Sequence, residues 1–80
     1  MRIPRDITGY ELLKLLNIFG YEITRQTGSH IRLTTSLKGE HHITIPNHNP
    51  LKIGTLSAIL NDIAVHFEIT KEEAIRILFL

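Results

Sequence analysis

The stretch HIRLTTSLKGEHHITIP, residues 30–46, decides the fold. Within it His30, Arg32 and Thr34 alternate with Ile31 and Leu33, the period-two pattern of a half-buried strand. Ser36 to Glu40 contains Gly39 and reads as a hairpin loop, and His41 to Ile45 resumes the alternation with Ile43 and Ile45 on the apolar side. Pro46 ends that run, because proline has no N–H to give to a ladder. Upstream, Gly28-Ser29 closes an earlier run in which Tyr21, Ile23, Arg25 and Thr27 alternate with Glu22, Thr24 and Gln26. Three such runs, joined by two short turns, predict an antiparallel meander that packs one face on helices and leaves the other to water.

The flanking segments supply those helices. Thr8 followed three residues later by Glu11 is a capping-box signature, and Leu12, Leu13, Leu15, Leu16 and Phe19 recur at helical spacing, predicting a helix over 9–19. Gly20 suits the left-handed residue that stops it. After the meander, residues 46–52 combine Pro46, Asn47, Asn49 and Pro50 and predict an ordered surface loop. Leu56, Ile59, Leu60, Ile63, Ala64 and Phe67 then follow the i, i+3, i+4, i+7 rule, giving a helix over 55–67 with Thr55 as its N-cap. Thr70 and Glu73 repeat the capping pattern ahead of Ala74, Ile75, Ile77, Leu78 and Leu80, a short terminal helix over 71–80. The class is α+β: an αβββα order, with a three-stranded antiparallel sheet packed on helices and an extra short C-terminal helix, in a single domain over 1–80. The terminal stripe of Ile75, Leu78, Phe79 and Leu80 reads as core, with a contact between two copies of the chain as the alternative.

A chain of 80 residues builds only a thin core. Its apolar residues come in short periodic runs, far from the ~18 consecutive ones a membrane span needs. Arg5, Asp6 and Glu11 interrupt any secretory leader pattern, so a soluble cytoplasmic protein with no membrane contact is expected. The absence of cysteine removes disulfides, thiolate metal sites and cysteine nucleophiles together, leaving histidine as the main reactive side chain. The net charge of +1 hides an asymmetry. Residues 1–52 sum to +3 and hold four of the five histidines, whereas residues 53–80 sum to −2.

Strand parity puts His30, Arg32, Thr34, His42 and Thr44 on the open face, opposite the apolar Ile31, Leu33, Ile43 and Ile45. Gly28 and Ser29 before His30 allow close approach of a ligand backbone, and the turn amides and serine hydroxyl can donate to an anion. A neutral imidazole there could take the proton of a ribose 2′-hydroxyl or protonate a leaving 5′-oxygen, without a metal or other cofactor. Spacing alone equally allows a solvent-facing strand histidine after an ordinary turn. Lys52 and the amides that open the following helix either hold a second phosphate or merely begin the helix. Of the other cations, Arg25 and Lys38 read as phosphate contacts or as solvated charges, and only Arg32 shares the face of His30. His41 and His42, being adjacent in a strand, point to opposite faces and cannot easily share one ion, so no metal site is assigned. His42 and His48 are expected to line the groove of His30, and His66 to be partly buried or in contact with solvent.

The αβββα order with an open sheet face is also that of the double-stranded-RNA-binding fold. Five motifs in order carry a closer resemblance: Gly9-Tyr10-Glu11-Leu12-Leu13-Lys14-Leu15-Leu16, Gly20-Tyr21-Glu22, Arg25 through His30, Thr44-Ile45-Pro46-Asn47-His48, and Gly54-Thr55-Leu56 with Ile59-Leu60. Together they resemble the HicA (YcfA-like) toxin family over residues 8–69. The resemblance implies metal-independent cleavage of mRNA, His30 as the essential histidine, and a HicB-type antitoxin that masks it. Gly28, Ser29, Arg32, His42, His48 and Lys52 are then the expected RNA contacts. A non-catalytic RNA-binding module or adaptor of the same fold is the alternative. The chain departs from many members in carrying Ile31 after the Gly-Ser-His and Ser57 after the Gly-Thr-Leu, and the helix over 71–80 lies outside the family core.

Overall fold

The computed structural model describes residues 3–80, so Met1 and Arg2, the latter counted in the basic half, lie outside it. Helix α1 (Gly9–Leu15) is opened by the expected box: Glu11 N donates to Thr8 Oγ1 at 3.1 Å and Thr8 N donates to Glu11 Oε1 at 2.9 Å. The backbone and side-chain hydrogen bonds from Thr8 hold the Glu11 carboxyl below its ordinary range. The expected helix over 9–19 changes character halfway, tightening to a 3-10 turn at Leu16–Phe19. Gly20 ends it at φ 80°, where a Cβ would sit 2.8 Å from both Thr35 Oγ1 and Leu37 Cδ1. The crowding has a purpose. Buried Thr35 donates its hydroxyl to Phe19 O at 2.8 Å and accepts from Leu37 N at 3.1 Å, pinning the end of the first helical segment to the second hairpin.

Strands β1 (Glu22–Gln26), β2 (His30–Thr35) and β3 (His41–Pro46) form one antiparallel sheet in that order. In β2 and β3 the register pairs Ile31 with Ile45 and Leu33 with Ile43, and all four side chains are buried. His30, Arg32, His42 and Thr44 on the other face are exposed, as the alternation requires. Strand β1 departs from simple alternation. Glu22 faces Thr34 and Ile23 faces Leu33, but Arg25 faces Arg32, so one extra residue, Thr24, is bulged between them. The bulge reverses the face of every residue after it.

Helix α2 (Ile53–Phe67) buries Leu56, Ile59, Leu60, Ile63 and Ala64 on the side of the sheet's apolar rows, in one core with Leu12 of α1 and Leu16 of the 3-10 turn. It starts two residues before the expected 55, with Lys52 rather than Thr55 at the cap and no side-chain cap bond. The reason is upstream: Leu51 is buried and its N donates to Ile7 O at 2.8 Å, which stops the loop and lets Lys52 O accept from Leu56 N at 3.0 Å. Helix α3 (Lys71–Phe79) carries the second box, with Glu73 N donating to Thr70 Oγ1 at 3.0 Å and Thr70 N to Glu73 Oε1 at 2.9 Å. It packs along α2 through Ala74, Ile75 and Leu78, and Lys71 Nζ donates to Ser57 Oγ. Leu80, expected in the same apolar stripe, is exposed. No helix is long and apolar enough to cross a membrane among the described residues.

Candidate functional site

The turn between β1 and β2 is only three residues long, Thr27-Gly28-Ser29, and all three are exposed. Thr27 N donates to His30 O at 2.9 Å, and the Thr27 hydroxyl donates to His30 O and accepts from His30 N, each at 3.3 Å. Gly28 needs no special backbone angle, and a Cβ there would meet nothing within 4 Å, so the space above the turn is open. Ser29 Oγ lies 3.0 Å from His30 Nδ1. Nε2 of the same ring has no hydrogen-bond partner among the described residues. Across the sheet end Asn47 N donates to Ser29 O at 2.9 Å, and Gly9 N to His48 O at 3.1 Å, so the 47–52 loop is fastened to this turn and to α1.

Along the open face His30 lies opposite Pro46, Arg32 lies between Thr44 and Arg25, and Thr34 lies opposite His42. A shallow cleft of about 400 Å³ runs over the middle, lined by Thr24, Arg25, Arg32, Thr34, Glu40 and His42. Both ring nitrogens of His42 are engaged: Nε2 with Glu40 Oε2 at 2.9 Å and Nδ1 with Thr34 Oγ1 at 2.7 Å. Ionised Glu40 only accepts, so Nε2–H donates to it. His48 and Lys52 are exposed in the loop beyond β3, and neither side chain forms a hydrogen bond with the His30 group. Lys38 is drawn away from the face altogether, pairing with Glu68 at 3.2 Å. Arg25 is the residue that alternation misplaces, since only the bulge brings it beside Arg32.

His41 and His42 do point apart. While His42 joins the open face, His41 enters a cluster that no spacing rule signals. Tyr21, 1% exposed, donates its hydroxyl to His41 Nδ1 at 2.7 Å, and His41 Nε2–H donates to Asp62 Oδ1 at 3.3 Å. His66 stacks on His41 with ring centroids 4.3 Å apart and donates Nε2–H to Leu37 O at 2.9 Å. Burial, reinforced by the Asp62 charge, pushes the Tyr21 phenol well above its ordinary 10.0. The folded chain therefore keeps a proton that the unfolded chain releases. Stability from this group is full below pH 10.0 and falls as pH rises above it. In urea unfolding across the alkaline range, Tyr21→Phe is expected to flatten this fall while costing about 1 kcal/mol at neutral pH for the lost hydrogen bond. An unchanged alkaline slope would remove Tyr21 as its source.

A model of the protein family described as the HicA toxin of bacterial toxin-antitoxin systems matches residues 9–65. That span starts with α1 and takes in the Gly28-Ser29-His30 turn, the open sheet face and most of α2, but not α3. No curated protein and no solved structure matches the chain.

Proposed function

The chain belongs to the HicA toxin family of bacterial toxin-antitoxin systems, and from that premise we propose that it is an mRNA-cleaving toxin with His30 as its acid-base residue. The observation that carries the proposal is the asymmetry of the His30 ring. Ser29 engages Nδ1 while Nε2 is open above a turn with no side chain on Gly28. With Nδ1–H donating to Ser29 Oγ, the Nε2 lone pair is available to take the proton of a ribose 2′-hydroxyl. The 2′-oxygen then attacks the adjacent phosphorus, the P–O5′ bond breaks, and the 5′-oxygen takes up a proton from the imidazolium just formed. The products are a 2′,3′-cyclic phosphate and a 5′-hydroxyl. Ser29 and Gly28 form the approach, and Arg32, His42, His48 and Lys52 are the candidate contacts along the remaining RNA. A HicB-type antitoxin is the partner proposed to cover His30.

This chemistry has a product signature. Incubated with single-stranded RNA and a chelator, the purified chain is expected to give fragments with cyclic-phosphate and 5′-hydroxyl ends, and addition of the antitoxin is expected to stop the reaction. Intact RNA, or fragments with 5′-phosphates, would overturn the mechanism.

A further inference from the structure

The bulge at Thr24 points to a second element of RNA recognition. Continued without it, the register that pairs Glu22 with Thr34 and Ile23 with Leu33 would place Thr24 opposite Arg32 and Arg25 opposite buried Ile31. Arg25 would then point to the helix side of the sheet. The extra residue turns it instead to the open face, directly across from Arg32. Two like charges so placed destabilise a sheet. Neither guanidinium has a carboxylate partner among the described residues, and Glu40, the acid lining the same cleft, pairs with His42 at 2.9 Å. The bulge is itself held in place: Thr24 Oγ1 lies 2.9 Å from Thr34 Oγ1 and donates to Arg32 O at 3.5 Å, and Thr34 Oγ1 is bonded in turn to His42 Nδ1 at 2.7 Å. A hydrogen-bonded chain across all three strands thus fixes an arrangement that costs stability until an anion enters it.

We propose that Arg25 and Arg32 form a two-guanidinium clamp for one backbone phosphate of an RNA strand, the neighbour of the phosphate presented to His30. The inference rests on the RNA-cleaving reading and adds to it a register for the substrate. Planar guanidinium forks match phosphate oxygens two at a time, which a lysine does not. His30 and Arg32 point to the same face two residues apart on β2, a distance of about 6.7 Å. That is comparable to the separation of adjacent phosphates on one strand. An RNA strand held at the clamp therefore delivers the next phosphodiester to the imidazole.

The test uses the His30→Ala protein, in which cleavage is expected to be slow enough to leave the RNA intact during a titration, and an end-labelled single-stranded RNA titrated at several salt concentrations. Adding Arg25→Gln is expected to weaken binding about tenfold at low salt and to reduce the salt slope by about 0.7. Arg32→Gln is expected to match it, and the double variant to fall short of the product of the two losses, because both side chains serve one phosphate. Arg25→Lys is expected to keep the slope while losing affinity, and its retained charge guards against misreading a folding defect. Arg25→Gln affinity and slope equal to those of the parent would overturn the clamp alone, and so would weakening confined to antitoxin binding. A parent that binds no RNA would overturn the RNA reading and the clamp with it.

Discussion

His30→Ala is expected to lower RNA cleavage by about 10²–10⁴-fold, the span associated with removing a positioned acid-base group. The fold should not notice. His30 is exposed, its side chain is bonded only to Ser29 next to it, and the backbone bonds that close the turn run through Thr27 and His30 main-chain atoms that alanine retains. Surface changes of this kind move stability by about 0.5 kcal/mol or less. The comparison to make is therefore cleavage rate beside melting temperature. Ser29→Ala is expected to fall between the two proteins in rate, since it leaves the imidazole in place and loosens only its orientation. Cleavage undiminished by His30→Ala would end the acid-base assignment, whatever the RNA affinity.

The other large effect is expected from Ile75→Ala and Leu78→Ala in α3. The family match stops at residue 65, which invites the view that α3 is an appendage. Packing contradicts it. Ile75 and Leu78 are 4% and 6% exposed and belong to the same buried cluster as Leu60 and Ile31. Truncating a buried side chain of this size costs about 2–5 kcal/mol. A domain of this length has about 4–12 kcal/mol in all. Each variant should therefore melt about 10 °C or more below the parent, and the pair should leave little folded protein at 37 °C, to take about that temperature as the physiological reference. Ile77→Ala, at a half-exposed position on the same helix, serves as the control and should shift melting little. If Ile75→Ala behaves like Ile77→Ala, α3 is detachable after all.

What could be read from the chain was whatever its local rules determine. Parity assigned Ile31, Leu33, Ile43 and Ile45 to the core and His30, Arg32 and His42 to the open face, because β2 and β3 pair without irregularity. Both capping boxes were legible for the same reason, each being closed within four residues. The start of α2 differs from the expected residue 55 because it is set by Leu51 reaching back to Ile7, a contact across the fold. Similarly, the bulge in β1 depends on Thr24 meeting Thr34, and the Tyr21–His41–Asp62 cluster joins residues 20 and 21 positions apart. No alternation or spacing rule reaches that far. Alternation consequently leaves Arg25 open as either a phosphate contact or a solvated charge, and only the bulged register sets it across from Arg32.

Strand β1 has a partner on one side only, so its outer rim offers unpaired amides and carbonyls to any other extended chain. A regular rim of five exposed residues would template strand addition between copies. The displaced residue at Thr24 breaks that template in the middle, and the arginine just after it carries charge to the break. Shortening β1 by one residue to restore regular pairing would thus do two things at once: turn Arg25 toward the helices and give the protein a straight, adhesive margin. The irregularity that orients a side chain also interrupts the edge along which a further strand would pair.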